Sequence, residues 1–272
     1  MRPADRIFTG SYRSEDESER VIGQVRQSPN LTSAYLSFIY TTDQADPQNL
    51  VCFLEGVIKQ VGEWGAKQVV ADLEISSEQF PNFRRAGFSV LAKQRVYRCR
   101  PVISKNTVLG IGWRTWTSVD IPAVQRLYSA IVPPLLQPVE PLTRRESLGL
   151  VYFDEAGELQ AYADLVYGPV GVWVLPMIHP RTSGQTTQLL MQLLHDLPGV
   201  NSRSVYLAVR SYQPWVEEAL VKINSSPGPE QALLVRYLTL QQRVVPEFSL
   251  SAIENGKAEP TMPVAPIKSQ HN

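Results

Sequence analysis

A short polar stretch between an apolar strand and a leucine-rich helix carries the residue types best suited to binding chemistry. Residues 178–186 are IHPRTSGQT, and from Leu189 onward leucines recur at helical spacing. A cation, Arg181, and a glycine, Gly184, stand just before the predicted helix. The first-turn amides of a helix lack partners within it and favour an anion. Two interpretations are open: the stretch cradles a phosphate, or it only connects a strand to a helix.

Three side chains near this region have the chemistry for proton transfer. His179 ends the predicted strand, and the free imidazole pKa of ~6.5 suits a base. Asp164, in AYADLVYG, suits a base if it turns inward, because burial raises a carboxyl pKa. The alternating pattern leaves its direction open. Tyr212, in VRSYQPW, follows another predicted strand and could reach the same cleft. Each residue also has a structural interpretation, as a strand-end histidine, a solubilising aspartate or a packing tyrosine.

The elements that must position these residues follow from hydrophobic periodicity. The stretch from 10 to 30 is polar and mixed in charge, which predicts a loop or a weak helix. A first series then follows: a strand over 33–41, a helix started by Asp46-Pro47 and ended by Gly65, a strand over 67–74, a short helix closed by Gly87, and a strand over 88–100.

A second series repeats the alternation of strands and helices. It comprises a strand over 106–117, a helix capped by Asp120 with Pro122 in its first turn, the three meander strands SLGLVYFD, LQAYADLVYG and VGVWVLPMI, the helix QTTQLLMQLLHDL, a strand over 203–210, the helix PWVEEALVKI and a strand over 231–243. The proline-rich residues 246–272 predict a disordered tail. The order indicates an α/β fold.

The composition excludes several classes of function. Lysine and arginine total 26 and so do aspartate and glutamate, so the net charge of zero gives no field toward nucleic acid or a membrane surface. No apolar run approaches the ~20 residues of a membrane span, which makes the cytoplasm the expected location. Cys52 and Cys99 are isolated, so no structural zinc site is expected, and the absence of Gly-x-Ser-x-Gly disfavours a hydrolase.

The order of elements resembles the GNAT acyltransferase fold. In EISSEQFPNFRRAGFSVL, Phe83, Gly87 and Phe88 stand where that family has a Tyr-x-x-x-Gly-Phe run, and WRTWTSVDIPAVQRLY is similar to its opening strand and first helix. The resemblance covers roughly residues 30–243. It implies two GNAT-like modules with mixed, mainly antiparallel sheets flanked by helices. We place a weakly ordered segment at 1–30, a partial module at 31–102, a second module at 103–245 and the tail at 246–272.

The resemblance also implies a cofactor, acetyl-CoA. The family's pyrophosphate loop has the form Arg/Gln-x-x-Gly-x-Gly/Ala, and Arg181, Gly184 and Thr186 stand in those places. The implied cofactor-binding set is Ile178, Arg181, Thr182, Ser183, Gly184, Gln185 and Thr186. Thr186 departs from the pattern because it brings a β-carbon close to the phosphates. The two modules are called the first copy and the second copy from here on. In the first copy the matching stretch TTDQADPQN has Asp43 and Asp46, which would repel a diphosphate.

The family's catalytic pattern is incomplete in this chain. Phe83 and Leu220 occupy the place of the tyrosine that protonates the leaving thiolate, and Asn224 replaces the glycine of the second copy. This leaves Asp164, His179 and Tyr212 as the catalytic candidates. Two further sets have both a ligand-binding and a structural interpretation: Trp113, Trp116, Trp173 and Trp215 as a groove or as core, and the arginines of LTRRES as a carboxylate clamp or as a solvated helix cap.

The sequence therefore predicts an N-acyltransferase that transfers an acetyl or acyl group from CoA to an amine, either a small molecule or a peptide. The alternative is a protein that keeps the fold and has lost the chemistry, acting as a binding or scaffold protein. An open split between the fourth and fifth strands favours the first function, and a split filled by side chains favours the second. No nucleic-acid, membrane or metal partner is expected, and the oligomeric state is left open.

Overall fold

The structure, a computed structural model, describes residues 5–14, 20–29, 31–42, 46–99, 112–142, 148–198 and 203–238. Its first half contains, in chain order, β1 (Arg6–Arg13), β2 (Arg20–Gln27), β3 (Ser33–Thr41), α1 (Pro47–Glu63), β4 (Gln68–Glu74), α2 (Phe80–Arg85) and β5 (Ser89–Cys99). Its second half contains β6 (Arg114–Thr115), α3 (Ile121–Ile131), β7 (Leu148–Phe153), β8 (Leu159–Tyr167), β9 (Gly171–Ile178), α4 (Thr186–Asp196), β10 (Ser204–Arg210), α5 (Pro214–Lys222) and β11 (Ser226–Tyr237).

All of these strands belong to one sheet, in the order β1-β2-β3-β4-β11-β5-β10-β9-β8-β7-β6. Two strands lie among those of the other half of the chain. β11 is antiparallel to β4 and β5, and β5 is antiparallel to β11 and β10. Each half of the sheet is thus completed by the last strand of the other half, so the two copies share one sheet.

The β5–β11 pair lies on a local two-fold axis. Gln94 and Gln231 are direct partners, 137 positions apart, and the Gln94 side-chain nitrogen donates to the Gln231 side-chain oxygen at 2.7 Å. On either side of them the register is mirrored, since Ser226 pairs with Arg98 and Val235 pairs with Ser89. The parallel pairs β3–β4 and β9–β10 occupy matching places. The chain therefore contains an internal repeat related by rotation.

The repeat extends to the way in which its short helices end. Gly87 and Asn224 both have positive φ, 79° and 53°, as expected at the residue that closes a helix. The amide after each of them reaches back five residues, from Phe88 to Phe83 at 3.0 Å and from Ser225 to Leu220 at 3.2 Å. Gly87 closes α2 as predicted. Asparagine tolerates the left-handed conformation better than most residues, so it can replace the glycine in the second copy.

The helices cover the two faces of the sheet unequally. Along β4, Val69 and Ala71 pack with α1 and α2, whereas Val70 between them packs in the cluster that contains α3. Val205, Leu207 and Val209 of β10 likewise pack with α4 and α5. Of the helices that the structure describes, four therefore lie on one face, and α3 covers part of the other. None of the described helices combines the length and the apolar character that a membrane span requires.

The prediction of a loop or weak helix for 10–30 was wrong. β1 and β2 form a hairpin paired from Arg6 with Gln27 to Arg13 with Arg20. Gly10 and Gly23 are direct partners, and a β-carbon would meet the Phe8 ring at Gly10 and the Phe53 ring of α1 at Gly23. Glycine admits this close approach, but it removes the apolar residues that would have shown the strand pattern. The first copy thus includes two strands that the sequence analysis left out.

The other predicted elements are largely as expected, with shifted bounds. The meander β7–β8–β9 is antiparallel, as predicted, and α1 begins at Pro47 with the Asp46 side chain accepting from the Gln48 amide. β11 begins at Ser226, earlier than predicted, through an irregular stretch with two prolines. Several predictions lie outside the described residues: the strand over 106–111, the division at 102–103, the strand end after 238 and the tail 246–272.

Asp120 provides a prediction about pH. It is 5% exposed, and its carboxylate accepts from Arg114 at 2.7 and 2.8 Å and from the Thr117 amide at 2.8 Å. The Arg114 contact, reinforced by Thr117, lowers the Asp120 pKa to about 2. A lowered carboxyl pKa stabilises the fold above about pH 4, and this stabilisation is lost as pH falls through about 2.

We therefore expect Asp120→Asn to lower the free energy of unfolding by about 2 kcal/mol at neutral pH. The difference should shrink between about pH 4 and pH 2, measured by urea unfolding across that range. A difference that is unchanged over the whole range would contradict the assignment, because it would then reflect shape or hydrogen bonding rather than the charge.

Candidate functional site

The parallel strands β9 and β10 diverge along their length. They pair from Gly171 with Ser204 to Val174 with Leu207, and within the described strands this is the whole of their pairing. Residues 175–178 of β9 and 208–210 of β10 face one another across the gap that follows, which we call the split. Divergence between two parallel strands leaves backbone groups available for another partner. The predicted phosphate stretch lies directly after β9, at the end of the split.

The predicted phosphate stretch is not an open loop. Residues Pro180–Gln185 form a 3₁₀ helix, in which backbone groups bond three residues apart, and α4 follows directly. The Arg181 amide donates to His179 Nδ1 at 3.1 Å, and the Thr182 amide donates to the His179 carbonyl at 3.0 Å. These two amides are therefore already occupied. A ligand anion would have to use later amides or the exposed Arg181 side chain.

The remaining residues of this stretch divide into exposed and buried positions. Arg181, Ser183, Gly184 and Gln185 are exposed, and a β-carbon at Gly184 would meet no atom within 4 Å. Thr186 is fully buried, and its hydroxyl donates to the Thr182 carbonyl at 3.0 Å. Its side chain thus points into the protein, and the exposed side of the turn is left clear. Gly184 marks the most accessible backbone of the predicted set.

Two residues from the start of α5 contact β9 inside the split. The Gln213 side chain, 1% exposed, accepts from the Ile178 amide at 3.1 Å and donates to the Pro176 carbonyl at 3.0 Å. The Trp215 indole donates to the Ile178 carbonyl at 3.1 Å. Ile178, predicted to bind the cofactor, is therefore fully buried and engaged through its backbone. The two strand backbones are no longer paired with each other in the split, and these two side chains bond to β9 there.

The three predicted catalytic residues lie apart. Asp164 is 8% exposed on β8, on the α3 side of the sheet, where its strand neighbours are Gly149 and Leu175. His179 lies four residues beyond Leu175, which is roughly 13 Å along an extended strand. The Asp164 side chain is thus turned inward, one of the two possibilities left open by the sequence. These two side chains do not form an acid–base pair.

His179 faces a shallow depression beside α3. Leu127, Ala130 and Leu159 help to line it. Burial, together with the nearby Arg181 cation, lowers the pKa of His179 below its ordinary value, so the imidazole is neutral at pH 7. Its Nδ1 accepts the Arg181 amide, which fixes the ring as part of the turn. The geometry gives His179 a structural role at the start of the 3₁₀ helix.

Tyr212 belongs to a buried polar network that sequence reasoning missed. Burial, and then the carboxylate of Glu140, raises the Tyr212 pKa well above its ordinary value, so the hydroxyl keeps its proton. Arg210, 7% exposed, donates to Glu140, to Gln94 at 2.6 Å and to Asp72 at 3.2 Å. The network joins four separate parts of the chain, and no local motif signals it.

The segment that carries Glu140, residues 132–142, is held by the first copy. Gln68 donates to the Pro138 carbonyl at 2.8 Å, and Tyr35 donates to the Val139 carbonyl at 2.7 Å. This fixes Glu140 above the end of β10. The tryptophans for which a groove and a core role were both open differ in burial: Trp113 is in the core with its indole bonded to the Leu189 carbonyl, whereas Trp173 is 38% exposed.

The matching place in the first copy carries a carboxylate, as the sequence indicated. Asp46 Oδ1 accepts from the Gln48 amide at 2.8 Å at the start of α1, where an anion would otherwise bind. Asp43 and the arginines of LTRRES lie outside the described residues. Phe83 is 1% exposed and stacks edge-on against Phe88 at 5.2 Å, and Leu220 is fully buried. Both therefore act as core residues in the place of the family's tyrosine.

Comparisons with solved structures decide the fold. A GCN5-related N-acetyltransferase from Sphaerobacter thermophilus is 13% identical with a TM-score of 0.51, over 83% of this chain and 79% of that one. A tandem GNAT protein from the clavulanic acid biosynthesis pathway is 13% identical with a TM-score of 0.50, over 87% and 84%. The chain has the GNAT fold. The resemblance seen in the sequence is thereby confirmed as a likeness of fold.

A third GNAT structure agrees with the first two. A GCN5-related N-acetyltransferase from Kribbella flavida is 12% identical with a TM-score of 0.50, over 79% of this chain and 86% of that one. No protein-family model matches the sequence, and no curated protein matches it. The α/β class with a mixed, mostly antiparallel sheet flanked by helices is confirmed. In GNAT terms, β9 and β10 are the fourth and fifth strands of the second copy.

Proposed function

We propose that the protein is an N-acyltransferase that binds acetyl-CoA or another acyl-CoA in the second copy. The observation that carries the proposal is the divergence of β9 and β10 after Val174 and Leu207, with α4 beginning at the end of the split. The arm of acyl-CoA that bears the thioester would lie in the split beside the strand backbones. The diphosphate of the cofactor would lie near the exposed turn at Gly184 and Arg181. The GNAT fold of acetyltransferase neighbours supports this assignment.

The acceptor in this proposal is an amine, on a small molecule or a peptide, and the protein acts in the cytoplasm. A protonated acceptor must lose a proton before it attacks the thioester carbon, and the thiolate must gain one as it leaves. Tyr212, two residues beyond the end of β10, is the proposed donor to the thiolate. Asp164, buried on β8, stays a candidate for the base. His179 stays the other candidate, because its neutral ring lines the depression beside α3 while its Nδ1 holds the turn.

Isothermal titration with acetyl-CoA and with CoA tests the proposal. Measurable heat, together with release of free thiol on addition of a panel of primary amines, would support it. No heat with either ligand at millimolar concentration, from wild type and from a folded variant that lacks the Gln213 side-chain amide, would eliminate it.

Gly184 allows a test that changes charge without changing shape. We expect Gly184→Asp to weaken acetyl-CoA binding by about tenfold, because a carboxylate at this exposed turn repels the diphosphate. Gly184→Asn has nearly the same size and should bind close to wild type, since a β-carbon here meets no atom within 4 Å. Calorimetric Kd values at constant ionic strength measure both. Equal Kd values for the two variants would place the diphosphate elsewhere.

One observation favours a second candidate, a GNAT-fold binding or scaffold protein without catalysis. The Pro176 carbonyl and both backbone groups of Ile178 are bonded by Gln213 and Trp215 inside the split. Moreover, the buried residues Phe83 and Leu220 stand at the positions where the GNAT pattern has a tyrosine. A chain that binds no CoA but keeps a cooperative fold would support this candidate.

A further inference from the structure

One buried side chain spans the split in the second copy. Gln213 is 1% exposed, its amide nitrogen lies 3.0 Å from the Pro176 carbonyl, and its amide oxygen lies 3.1 Å from the Ile178 nitrogen. A glutamine amide offers the same donor and acceptor as a backbone peptide group. Gln213 therefore pairs with β9 as one residue of a neighbouring strand would, at the place where β10 has turned away.

The Gln213 side chain takes no part in capping α5. Gln213 is the residue before the helix, and its side chain makes no capping bond to α5. Its own amide is held by the Arg210 carbonyl at 2.9 Å, and Pro214 begins the helix. A rotation of the Gln213 side chain would thus break two bonds to β9 and none within α5.

We infer that Gln213 is a gate for the acyl-CoA site: its amide occupies the position on β9 that an extended ligand arm bearing secondary amides takes, and it turns out as the ligand enters. The inference rests on the proposed function and adds a means of regulating the same site. Trp215 flanks the gate, because its indole holds the Ile178 carbonyl at 3.1 Å. An arm that pairs with Pro176 and Ile178 would replace the bonds that Gln213 gives up.

The first copy offers a matched control. Gln79 likewise precedes a short helix, α2, and its side chain reaches across to β3, donating to the Thr41 hydroxyl at 3.1 Å. Here the bond goes to a side chain and leaves the strand backbone alone. The same substitution at the two positions therefore removes a bridging glutamine in both copies and opens a strand backbone only in the second.

Titration of the full chain with acetyl-CoA tests the gate. We expect Gln213→Ala to bind about tenfold tighter than wild type, because the ligand no longer has to displace two hydrogen bonds. Gln79→Ala should bind like wild type. Circular dichroism checks that both variants are folded. Gln213→Asn keeps an amide that is too short to reach both β9 groups, so its gain in affinity should be smaller. It replaces Gln213→Ala in the test if that variant does not fold.

The outcomes separate the gate from the proposed function. Wild type that binds acetyl-CoA, with a folded Gln213→Ala or Gln213→Asn that binds equally or more weakly, overturns the gate alone. Binding by the Gln213 variants with none by wild type supports both, with the gate closed at rest. No heat from wild type or from either folded Gln213 variant overturns the acyl-CoA site and the gate together.

Discussion

Replacing Arg210 with methionine is expected to lower the free energy of unfolding by about 3–5 kcal/mol. The Arg210 guanidinium is buried and donates to Asp72, Gln94 and Glu140. Removing this cation leaves the Glu140 carboxylate, only 13% exposed, in a place from which most water is excluded. A buried charge that loses its partner costs far more than a surface pair, and urea unfolding followed by circular dichroism measures the loss.

Arg98 provides the matched control for that change. It lies on β5, next to β10 in the sheet, is exposed and donates to the Ser204 hydroxyl at 3.1 Å. Arg98→Met should change the unfolding free energy by less than about 1 kcal/mol. Adding Glu140→Gln to Arg210→Met should recover part of the stability, since it removes the carboxylate charge. Equal losses for Arg98→Met and Arg210→Met would contradict the network.

Replacing Leu207 with alanine is expected to cost about 2–5 kcal/mol. Leu207 is fully buried at the base of the split, where it is the last residue of β10 that pairs with β9. It belongs to the cluster that contains Leu190 and Leu193 of α4. The substitution removes apolar contacts and leaves a cavity in a tightly packed core, so the loss exceeds the transfer free energy of the missing groups. Urea unfolding gives its size.

An exposed leucine separates burial from residue type. Leu135, in the segment that carries Glu140, is 77% exposed. Leu135→Ala should change the unfolding free energy by no more than about 0.5 kcal/mol. If Leu207→Ala were equally mild, the cluster that contains Leu190 and Leu193 would be loosely packed around Leu207.

The sequence predicted the elements whose signals are local. α1 was found because Asp46, Pro47 and a stripe of apolar residues act together, and the meander was found because tight turns join alternating strands. The β1–β2 hairpin was missed because Gly10 and Gly23 stand at paired positions where apolar residues would have shown the alternating pattern of a strand. The exchange of β5 and β11 is a property of the whole sheet, and no window of sequence contains it.

The candidate site was predictable only where backbone position follows from chain order. Arg181 and Gly184 do lie exposed between β9 and α4, as the pattern indicated. Gln213 could have been noticed as a polar residue before a predicted helix, but its use inside the split depends on how two strands diverge. Glu140 and Arg210 are 70 positions apart, and only the packing of residues 132–142 against both copies brings them together.

The placement of β11 also constrains how the protein emerges from the ribosome. β4 and β5 are both made before residue 100, yet the strand that sits between them ends at Tyr237. At a synthesis rate of ~5–20 residues per second, the place between β4 and β5 stays empty for roughly 7 to 28 seconds after β5 has been made. Nascent chains must therefore keep the facing edges of β4 and β5 from pairing with other polypeptides until β11 has been made and can fill the place between them.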